Sequence, residues 1–252
     1  MEYAPFKFFT KNNQGRDFIV GDIHGMFSSL VKLLEQVHFN EKIDRVFSVG
    51  DLIDRGAESH RAIEFLNKPW FFSIMGNHEA LLIDSEHDKR MYSSWVGNCG
   101  GHWWHNIPTR LRPRIRKKLA QLPIAIELET TYGNVGIVHA DVPMHMAWPY
   151  FIQELNNGKE MRNYSLWSRN RYKRIISDAD AHIPDVAGID LVVVGHTPVV
   201  KPRQEGNVYF IDTGATYIED ANLAYLTLLE LTKIPTIHQI STYQRELVGV
   251  HL

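Results

Sequence analysis

The stretch Asp17-Phe18-Ile19-Val20-Gly21-Asp22-Ile23-His24-Gly25 decides the fold of this 252-residue chain. Residues 17–20 have the aromatic and β-branched character of a buried strand, and Gly21 permits a sharp turn at its end. Asp22 and His24 stand two apart in the loop that follows, so both side chains can point at one ion. By itself, an aspartate in such a turn is usually a structural cap. The stretch therefore predicts a ligand site only if other strands end in the same way.

Four other short apolar runs end at a glycine or a sharp turn that is followed at once by Asp, Asn or His. They are residues 46–49 before Gly50-Asp51, residues 71–75 before Gly76-Asn77-His78, residues 135–138 before His139, and residues 191–194 before Gly195-His196. Runs of this length, bounded by glycine, are typical of strands that are covered on both faces. The chain thus predicts five strands that each deliver a possible ligand.

Amphipathic stretches separate the first three of these runs. The apolar side chains in residues 27–38 and 57–67 recur with helical spacing. This alternation of strands and helices predicts an α/β fold with a mostly parallel sheet, whose strands have their carboxyl ends at one edge. Open α/β sheets bind ligands at that edge. We therefore expect all five strand ends, including those before His139 and His196, at the same sheet edge.

The whole chain, residues 1–252, has a length common for one α/β domain. Two helical insertions, at about residues 79–122 and 144–189, are expected to project from the ligand edge and form walls of the site. Trp95 and Trp103 in the first insertion are expected to pack rather than to recognise a ligand. In the C-terminal third, residues 208–211, 223–231 and 236–240 predict strands of a second sheet.

The composition excludes several classes of protein. The formal net charge of −2 provides no global positive field for nucleic acid, and Cys99 as the single cysteine excludes a disulfide framework or a thiolate metal cluster. The N-terminal residues do not have the pattern of a signal peptide, and no apolar run approaches the roughly 20 residues of a membrane span. We expect a cytoplasmic protein that binds neither nucleic acid nor membrane.

The second strand end carries Gly50-Asp51-Leu52-Ile53-Asp54-Arg55, which is two carboxylates followed by a guanidinium. A turn with a surface Asp–Arg pair, worth under about 1 kcal/mol, is the ordinary alternative. At the third strand end, Asn77 and His78 in isolation would be a helix cap. His78 suits an acid better than a ligand, because a neighbouring carboxylate such as Asp54 could keep its imidazole protonated.

One set of oxygen and imidazole donors then follows from the strand ends: Asp22, His24, Asp51, Asn77, His139 and His196. Such a set suits Mn²⁺, Fe or Zn²⁺, and it suits two ions better than one. Two divalent cations would outweigh the two carboxylates and leave a positive site that attracts a phosphate dianion. The sequence therefore predicts a receptor for phosphoryl oxygen.

These elements in this order resemble the phosphoprotein phosphatase branch of the calcineurin-like metallophosphoesterases, and most of all the bacterial and phage serine/threonine protein phosphatases of the lambda-phosphatase type. The resemblance runs from about residue 17 to 216 and includes Leu166-Trp167-Ser168-Arg169 and residues 207–215. It implies a central β-sandwich flanked by helices. It also implies a metal-dependent phosphomonoesterase whose substrate is a phosphorylated protein or peptide.

The resemblance further implies a role for each site residue. The metal positions would be Asp22 and His24 for the first ion, Asp51 as the bridge, and Asn77, His139 and His196 for the second ion. His78, oriented by Asp54, would be the general acid, and Arg55 and Arg169 would clamp phosphoryl oxygens. A hydroxide bridging two divalent ions, with Mn²⁺ preferred over Fe or Zn²⁺, would attack phosphorus directly.

Other functions remain open. A symmetrical bis(5'-nucleosyl)-tetraphosphatase resembles this chain in the same core motifs, although Glu79 after His78, and Asp54 before Arg55, favour the protein phosphatases. A nuclease is disfavoured by the net charge of −2. A phosphoprotein-binding scaffold without turnover is disfavoured because no metal or catalytic position of the motif set is missing.

Overall fold

The structure is a computed structural model that describes residues 4–178 and 182–244. Its strands are β1 (Ala4–Phe9), β2 (Asp17–Val20), β3 (Arg45–Ser48), β4 (Phe71–Ser73), β5 (Pro123–Thr130), β6 (Gly133–Val138), β7 (Leu191–Val194), β8 (Arg203–Glu205), β9 (Val208–Phe210), β10 (Tyr225–Glu230) and β11 (Thr236–Ser241). Its α-helices are α1 (Phe27–Gln36), α2 (Ala62–Leu66), α3 (Asn77–Asp84), α4 (Lys89–Asn98), α5 (Arg112–Leu119), α6 (Trp148–Leu155), α7 (Lys159–Trp167) and α8 (Asn170–Ser177). Short 3₁₀ helices span Ser59–Arg61, Gly101–Asn106 and Thr109–Leu111.

The strands form two sheets. One has the order β11-β10-β2-β3-β4, in which β2, β3 and β4 are parallel and β10 is antiparallel to β2. The other has the order β1-β5-β6-β7-β9-β8, in which β6, β7 and β9 are parallel. The three C-terminal runs are strands, as predicted, and β9 lies in the second sheet beside β7. The prediction that the other two belong to that sheet is wrong, because β10 pairs with β2 and β11 pairs with β10.

The expectation that His139 and His196 share one sheet edge with the first three strand ends is also wrong. These histidines follow β6 and β7, which belong to the other sheet. The pattern of apolar residues identifies a doubly covered strand but not its partner, since β6 and β7 have the same apolar character as β2 and β3. The five strand ends nevertheless meet, because the two sheets pack against each other.

A fully buried apolar layer lies between the sheets. Ile19 and Phe47 from one sheet belong to the same cluster as Ile137 and Val193 from the other. Phe18, on the opposite face of β2, belongs to the cluster that includes the apolar side of α1. Burying each such side chain contributes about 1.5–3 kcal/mol. Both faces of the central strands are therefore covered, as their apolar runs predict.

Helices cover the outer faces of the two sheets. Helix α1 contacts β10 and β11, while α6 contacts β1 and α7 contacts β5. The prediction of an α/β fold with a central β-sandwich flanked by helices is thus confirmed. Strands β1, β5 and β8 are not predicted from the sequence, although the alternation of Ile124, Ile126 and Leu128 is a signal for β5.

The two predicted insertions are largely helical. Residues 79–122 contain most of α3 with α4, α5 and two of the 3₁₀ helices, and residues 144–189 contain α6, α7 and α8. No helix among the described residues combines the length and the apolarity that crossing a membrane requires.

The loops that follow β2, β3 and β7 have an unusual backbone. His24, Asp51, Asp54, Arg55 and His196 all have positive φ angles, between 44° and 74°. This left-handed conformation costs free energy for residues other than glycine, and it persists where surrounding contacts hold it. A Cβ atom on Gly195 would lie 2.0 Å from Asp22 Oδ1, so only glycine lets the loop after β7 approach the loop after β2 so closely.

Candidate metal centre

The Asp51 carboxylate lies between histidines that come from both sheets. Its Oδ2 atom is 3.4 Å from His24 Nε2, and its Oδ1 atom is 3.4 Å from His139 Nε2. On the far side, Asn77 Oδ1 is 2.7 Å from His139 Nε2 and 2.9 Å from His196 Nδ1. All five side chains are buried. Residues far apart in the sequence therefore form one polar cluster inside the protein.

Two groups of potential ligand atoms share Asp51. One group is His24, Asp51 and His78, the other is Asp51, His139 and His196, and within each group the atoms lie within 4.8 Å of one another. Asp22 lies outside both groups. Its two oxygens accept hydrogen bonds from the main-chain N–H of His196 at 3.2 and 3.1 Å. The structure thus brings the six predicted ligands into one region, where Asp22 is hydrogen-bonded to the loop that carries His196.

Several of these imidazoles present a lone pair to the centre of the cluster. His24 Nδ1 donates to the carbonyl of Ile53, and His139 Nδ1 donates to the carbonyl of Val49, both at 2.8 Å. Because a carbonyl can only accept, Nε2 of each neutral imidazole is left as an acceptor. The Nε2 atom of His196 is buried and has no hydrogen-bond partner among the described residues. Burial lowers the pKa of His24 and His139, and lowers that of His196 to about 3.

The carboxylates of the cluster repel one another. Burial, followed by the charges of Asp212 and Asp51, raises the pKa of Asp22 well above its ordinary value. Burial raises the pKa of Asp212 to about 6. Divalent cations are stabilised by lone pairs that face each other and by buried carboxylates, and they offset the repulsion between these groups. The residues present therefore fit metal ions of the oxygen- and nitrogen-binding kind.

His78 stands at the edge of this cluster and contacts Asp54. Its Nδ1 atom is 2.7 Å from Asp54 Oδ2, and its Nε2 atom is 3.9 Å from Asp51 Oδ2. Burial by itself would lower the pKa of His78, but the carboxylates of Asp51 and Asp54 outweigh it and raise the pKa. These two carboxylates therefore favour the protonated form of the imidazole, which is the form that can give up a proton.

Two exposed arginines flank the histidines. Arg55 Nη1 donates to His24 Nε2 at 2.9 Å, and its Nη2 atom is 3.3 Å from His78 Nε2. Arg169 Nη2 donates to the carbonyl of His196 at 3.3 Å. The two guanidinium groups thus contact different members of the cluster, Arg55 at His24 and His78 and Arg169 at His196.

Sequence reasoning missed the structural role of Glu79. Its buried carboxylate accepts hydrogen bonds from four main-chain N–H groups, those of Gly76 at 2.8 Å, Asp51 and Leu52 at 2.9 Å, and Ile53 at 3.3 Å. Burial and the charge of Asp51 raise its pKa to about 8. A glutamate three residues after the helix-capping Gly76 supplies one half of a capping box, which is a signal that could have been recognised.

The interpretation of Trp95 and Trp103 as packing residues is incomplete. Trp95 is fully buried and Trp103 is half-buried, but both indole N–H groups also donate hydrogen bonds to the Asp54 carboxylate. Nothing in the local sequence pattern indicates these contacts, because they join residues 41 and 49 positions apart.

Comparisons with known proteins agree with this geometry. The sequence pattern described as calcineurin-like phosphoesterase matches residues 18–200. Serine/threonine-protein phosphatase 2 of Salmonella typhimurium is 34% identical over 202 residues, which are 79% of this chain and 87% of that protein. A symmetrical bis(5'-nucleosyl)-tetraphosphatase of Pseudomonas entomophila is 27% identical over 132 residues, which are 52% of this chain and 40% of that protein.

A solved structure has the same fold. The crystal structure of a putative diadenosine tetraphosphatase superimposes with a TM-score of 0.62 at 20% sequence identity, and the match covers 96% of this chain and all of that one. At this identity the likeness extends to the fold alone.

Proposed function

We propose that this chain, which belongs to the calcineurin-like phosphoesterase family, is a metal-dependent serine/threonine protein phosphatase. One observation carries the proposal. Asp51 lies between two groups of imidazoles, and His78, paired with Asp54, stands beside them. This arrangement combines a place for cations with a proton donor, which is what hydrolysis of a phosphate ester of serine needs.

Six residues with carboxylate, amide or imidazole donors would hold the metal: Asp22, His24, Asp51, Asn77, His139 and His196. We propose two divalent ions, Mn²⁺ in preference to Fe or Zn²⁺, since the donors are oxygen and imidazole without sulfur. When bound, such cations supply a lowered pKa for coordinated water and positive charge beside the phosphoryl group.

His78 would donate the proton that the leaving group needs. Its Nδ1 atom is engaged with Asp54, so Nε2 is the atom from which a proton can be transferred. A serine alkoxide is a poor leaving group, and protonating it removes most of that difficulty. Asp54 keeps the ring in position and stabilises its protonated form.

Arg55 and Arg169 would bind the phosphoryl oxygens. Arg55 contacts His24, Arg169 contacts the main chain of His196, and both residues are exposed to solvent. Planar guanidinium groups match the oxygens of a phosphate group and neutralise charge that shifts onto them during the reaction.

The substrate class we propose is a phosphorylated protein or peptide. The 34% identity to a serine/threonine-protein phosphatase over 87% of that protein supports this choice. We further propose that residues 1–252 form one domain in which the two helical insertions wall the site, and that the protein acts in the cytoplasm, where a single cysteine suits the reducing conditions.

A symmetrical bis(5'-nucleosyl)-tetraphosphatase is the second candidate. The 27% identity to such an enzyme favours it, although that match covers only half of this chain. A comparison of phosphoserine peptide, p-nitrophenyl phosphate and diadenosine tetraphosphate, each with and without Mn²⁺, separates the candidates. We expect Mn²⁺-dependent release of phosphate from the peptide. Efficient release of nucleoside diphosphate alone would favour the tetraphosphatase, and binding of phosphopeptide without turnover would favour a scaffold.

A further inference from the structure

We propose that Trp95 and Trp103 are positioning residues, which hold the Asp54 carboxylate in the orientation that His78 requires as proton donor. The inference rests on the proposed function and deepens it. It assigns a task to the first helical insertion, because both tryptophans belong to that part of the chain.

Three N–H donors contact the two oxygens of the Asp54 carboxylate. Trp103 Nε1 donates to Oδ1 at 2.6 Å, and Trp95 Nε1 donates to Oδ2 at 2.7 Å. The same Oδ2 atom accepts from His78 Nδ1 at 2.7 Å. The Asp54 side chain is completely buried, so water does not supply these hydrogen bonds. A rotation of the carboxylate would break at least one of them.

Indole groups suit this task for an electrostatic reason. A buried carboxylate without hydrogen bonds is costly, and an arginine or lysine partner would remove the cost by neutralising the charge. An indole N–H group donates a hydrogen bond but carries no net charge. The two indole groups therefore fix the Asp54 carboxylate without cancelling the charge that faces His78 Nδ1.

The insertion also fixes the backbone on which Asp54 stands. Asp54 and Arg55 have φ angles of 74° and 65°, a conformation that surrounding contacts must maintain. The main-chain N–H of Arg55 donates to the carbonyl of Gly100 at 3.1 Å. A Cβ atom on Gly101 would lie 2.6 Å from the Trp95 ring, so this turn packs tightly on the indole. The residues from Trp95 to Trp103 thus contact both the side chain and the backbone of this loop.

Substitutions Trp95→Phe and Trp103→Phe test the proposal, because they remove the N–H donor and keep an aromatic ring. Trp148→Phe is the matched control, since Trp148 is also buried and donates to a carboxylate, that of Glu127 at 2.8 Å, but belongs to α6. The substrates are a phosphoserine peptide and a series of phenyl phosphates whose leaving groups span a range of pKa. The p-nitrophenolate ion can leave without being protonated, whereas the serine alkoxide of the peptide needs a proton.

We expect each of the two variants to lower kcat on the phosphoserine peptide by about tenfold, and kcat on p-nitrophenyl phosphate by no more than about twofold. The dependence of kcat on the pKa of the phenol should become steeper, while KM stays close to the wild-type value. Trp148→Phe should leave the ratio between the two substrates unchanged. In the background of Asp54→Asn, removing either indole N–H should cause little further loss.

A second readout does not depend on activity. In the metal-free protein, the indole N–H protons of Trp95 and Trp103 should resonate downfield of that of Trp70, whose Nε1 atom has no hydrogen-bond partner among the described residues. Asp54→Asn should move both signals upfield and leave the signal of Trp70 in place.

Equal losses on all esters, unchanged selectivity in both tryptophan variants, or indole signals insensitive to Asp54→Asn would overturn the proposal. If the wild-type enzyme hydrolyses phenyl phosphates but no phosphoserine peptide, the proposed protein phosphatase function fails. The phenyl phosphate series still decides the role of the tryptophans in that case. A wild-type protein without any turnover would overturn both.

Discussion

Glu79 Oε2 accepts a hydrogen bond from the main-chain N–H of Asp51 at 2.9 Å, so a buried carboxylate holds the backbone of the residue at the centre of the polar cluster. The same carboxylate accepts from the N–H groups of Leu52, Ile53 and Gly76. Glu79 therefore ties the loop after β3 to the start of α3. The cluster depends on this tie because Asp51 and Asn77 lie on the two segments that Glu79 joins.

Glu79→Ala tests that dependence. The substitution leaves four buried N–H groups without their acceptor, and we expect the free energy of unfolding to fall by about 3 kcal/mol. Urea denaturation of the metal-free protein measures it. Glu64→Ala is the control, because Glu64 is half exposed and forms a surface ion pair with Arg61 at 3.2 Å, and we expect a change under about 1 kcal/mol. Equal effects of the two substitutions would contradict the role of Glu79.

Asp51→Asn should lower metal affinity and activity together. Asp51 belongs to both groups of ligand atoms, and replacing one of its oxygens by an amide removes a charge that both cations would share. Calorimetric titration with Mn²⁺ measures the affinity. Asp88→Asn, which alters a carboxylate that caps α4, should bind Mn²⁺ as the wild type does. Full affinity for two ions in Asp51→Asn would remove Asp51 from the bridging position.

His78→Asn should separate alkyl from aryl phosphates. Loss of a general acid costs about 10²–10⁴ in kcat where the leaving group needs a proton, and much less for p-nitrophenyl phosphate. Metal binding should persist, since the proposed ligands remain. A parallel loss of metal would instead make His78 a ligand, a role that its position within 4.8 Å of the ligand atoms of His24 and Asp51 also allows. Assays on both esters, with metal content measured on the same samples, distinguish these outcomes.

Asp44 lies outside the polar cluster at Asp51, and its ionisation should make the stability of the fold depend on pH. Burial raises its pKa, but hydrogen bonds from the side chain and main chain of Arg16, at 2.7 Å each, and from the main chain of Asn40 outweigh burial and lower the pKa. Since the folded-state pKa is the lower one, ionised Asp44 stabilises the fold fully above its unfolded pKa of about 3.9. That contribution is lost as pH falls through the folded value.

Asp44→Asn should therefore lower the free energy of unfolding by about 1–2 kcal/mol at neutral pH. The difference from the wild type should shrink as pH decreases below about 4. Urea denaturation at a series of pH values measures both quantities. A difference that stays constant down to acidic pH would show that ionisation of Asp44 does not contribute.

Much of the site could be predicted from the sequence because its residues follow a local rule. Each ligand comes directly after an apolar run and a turn, so Asp22, Asp51 and His139 could be placed at strand ends without knowledge of the pairing. The strands themselves could not be assigned to sheets, since β2 and β6 have the same apolar pattern. Sheet membership depends on contacts between residues that are far apart in the chain.

The support around the site could not be predicted for the same reason. Trp103 reaches Asp54 across 49 positions, and a tryptophan in a helical insertion has no local feature that separates a hydrogen-bond donor from a packing residue. The basic helix α5 is a similar case. Arg116 in it is buried against the ring of Trp104, although a run of arginines and lysines ordinarily forms a solvated face.

The proposed function requires two cations to bind, one on either side of Asp51. Anomalous scattering from crystals grown with Mn²⁺ measures their positions directly. We predict two peaks within coordination distance of the Asp51 carboxylate, one beside His24 and the other beside His139 and His196. Ordered protein with no anomalous peak at Asp51, or with Mn²⁺ bound only elsewhere on the chain, would contradict it.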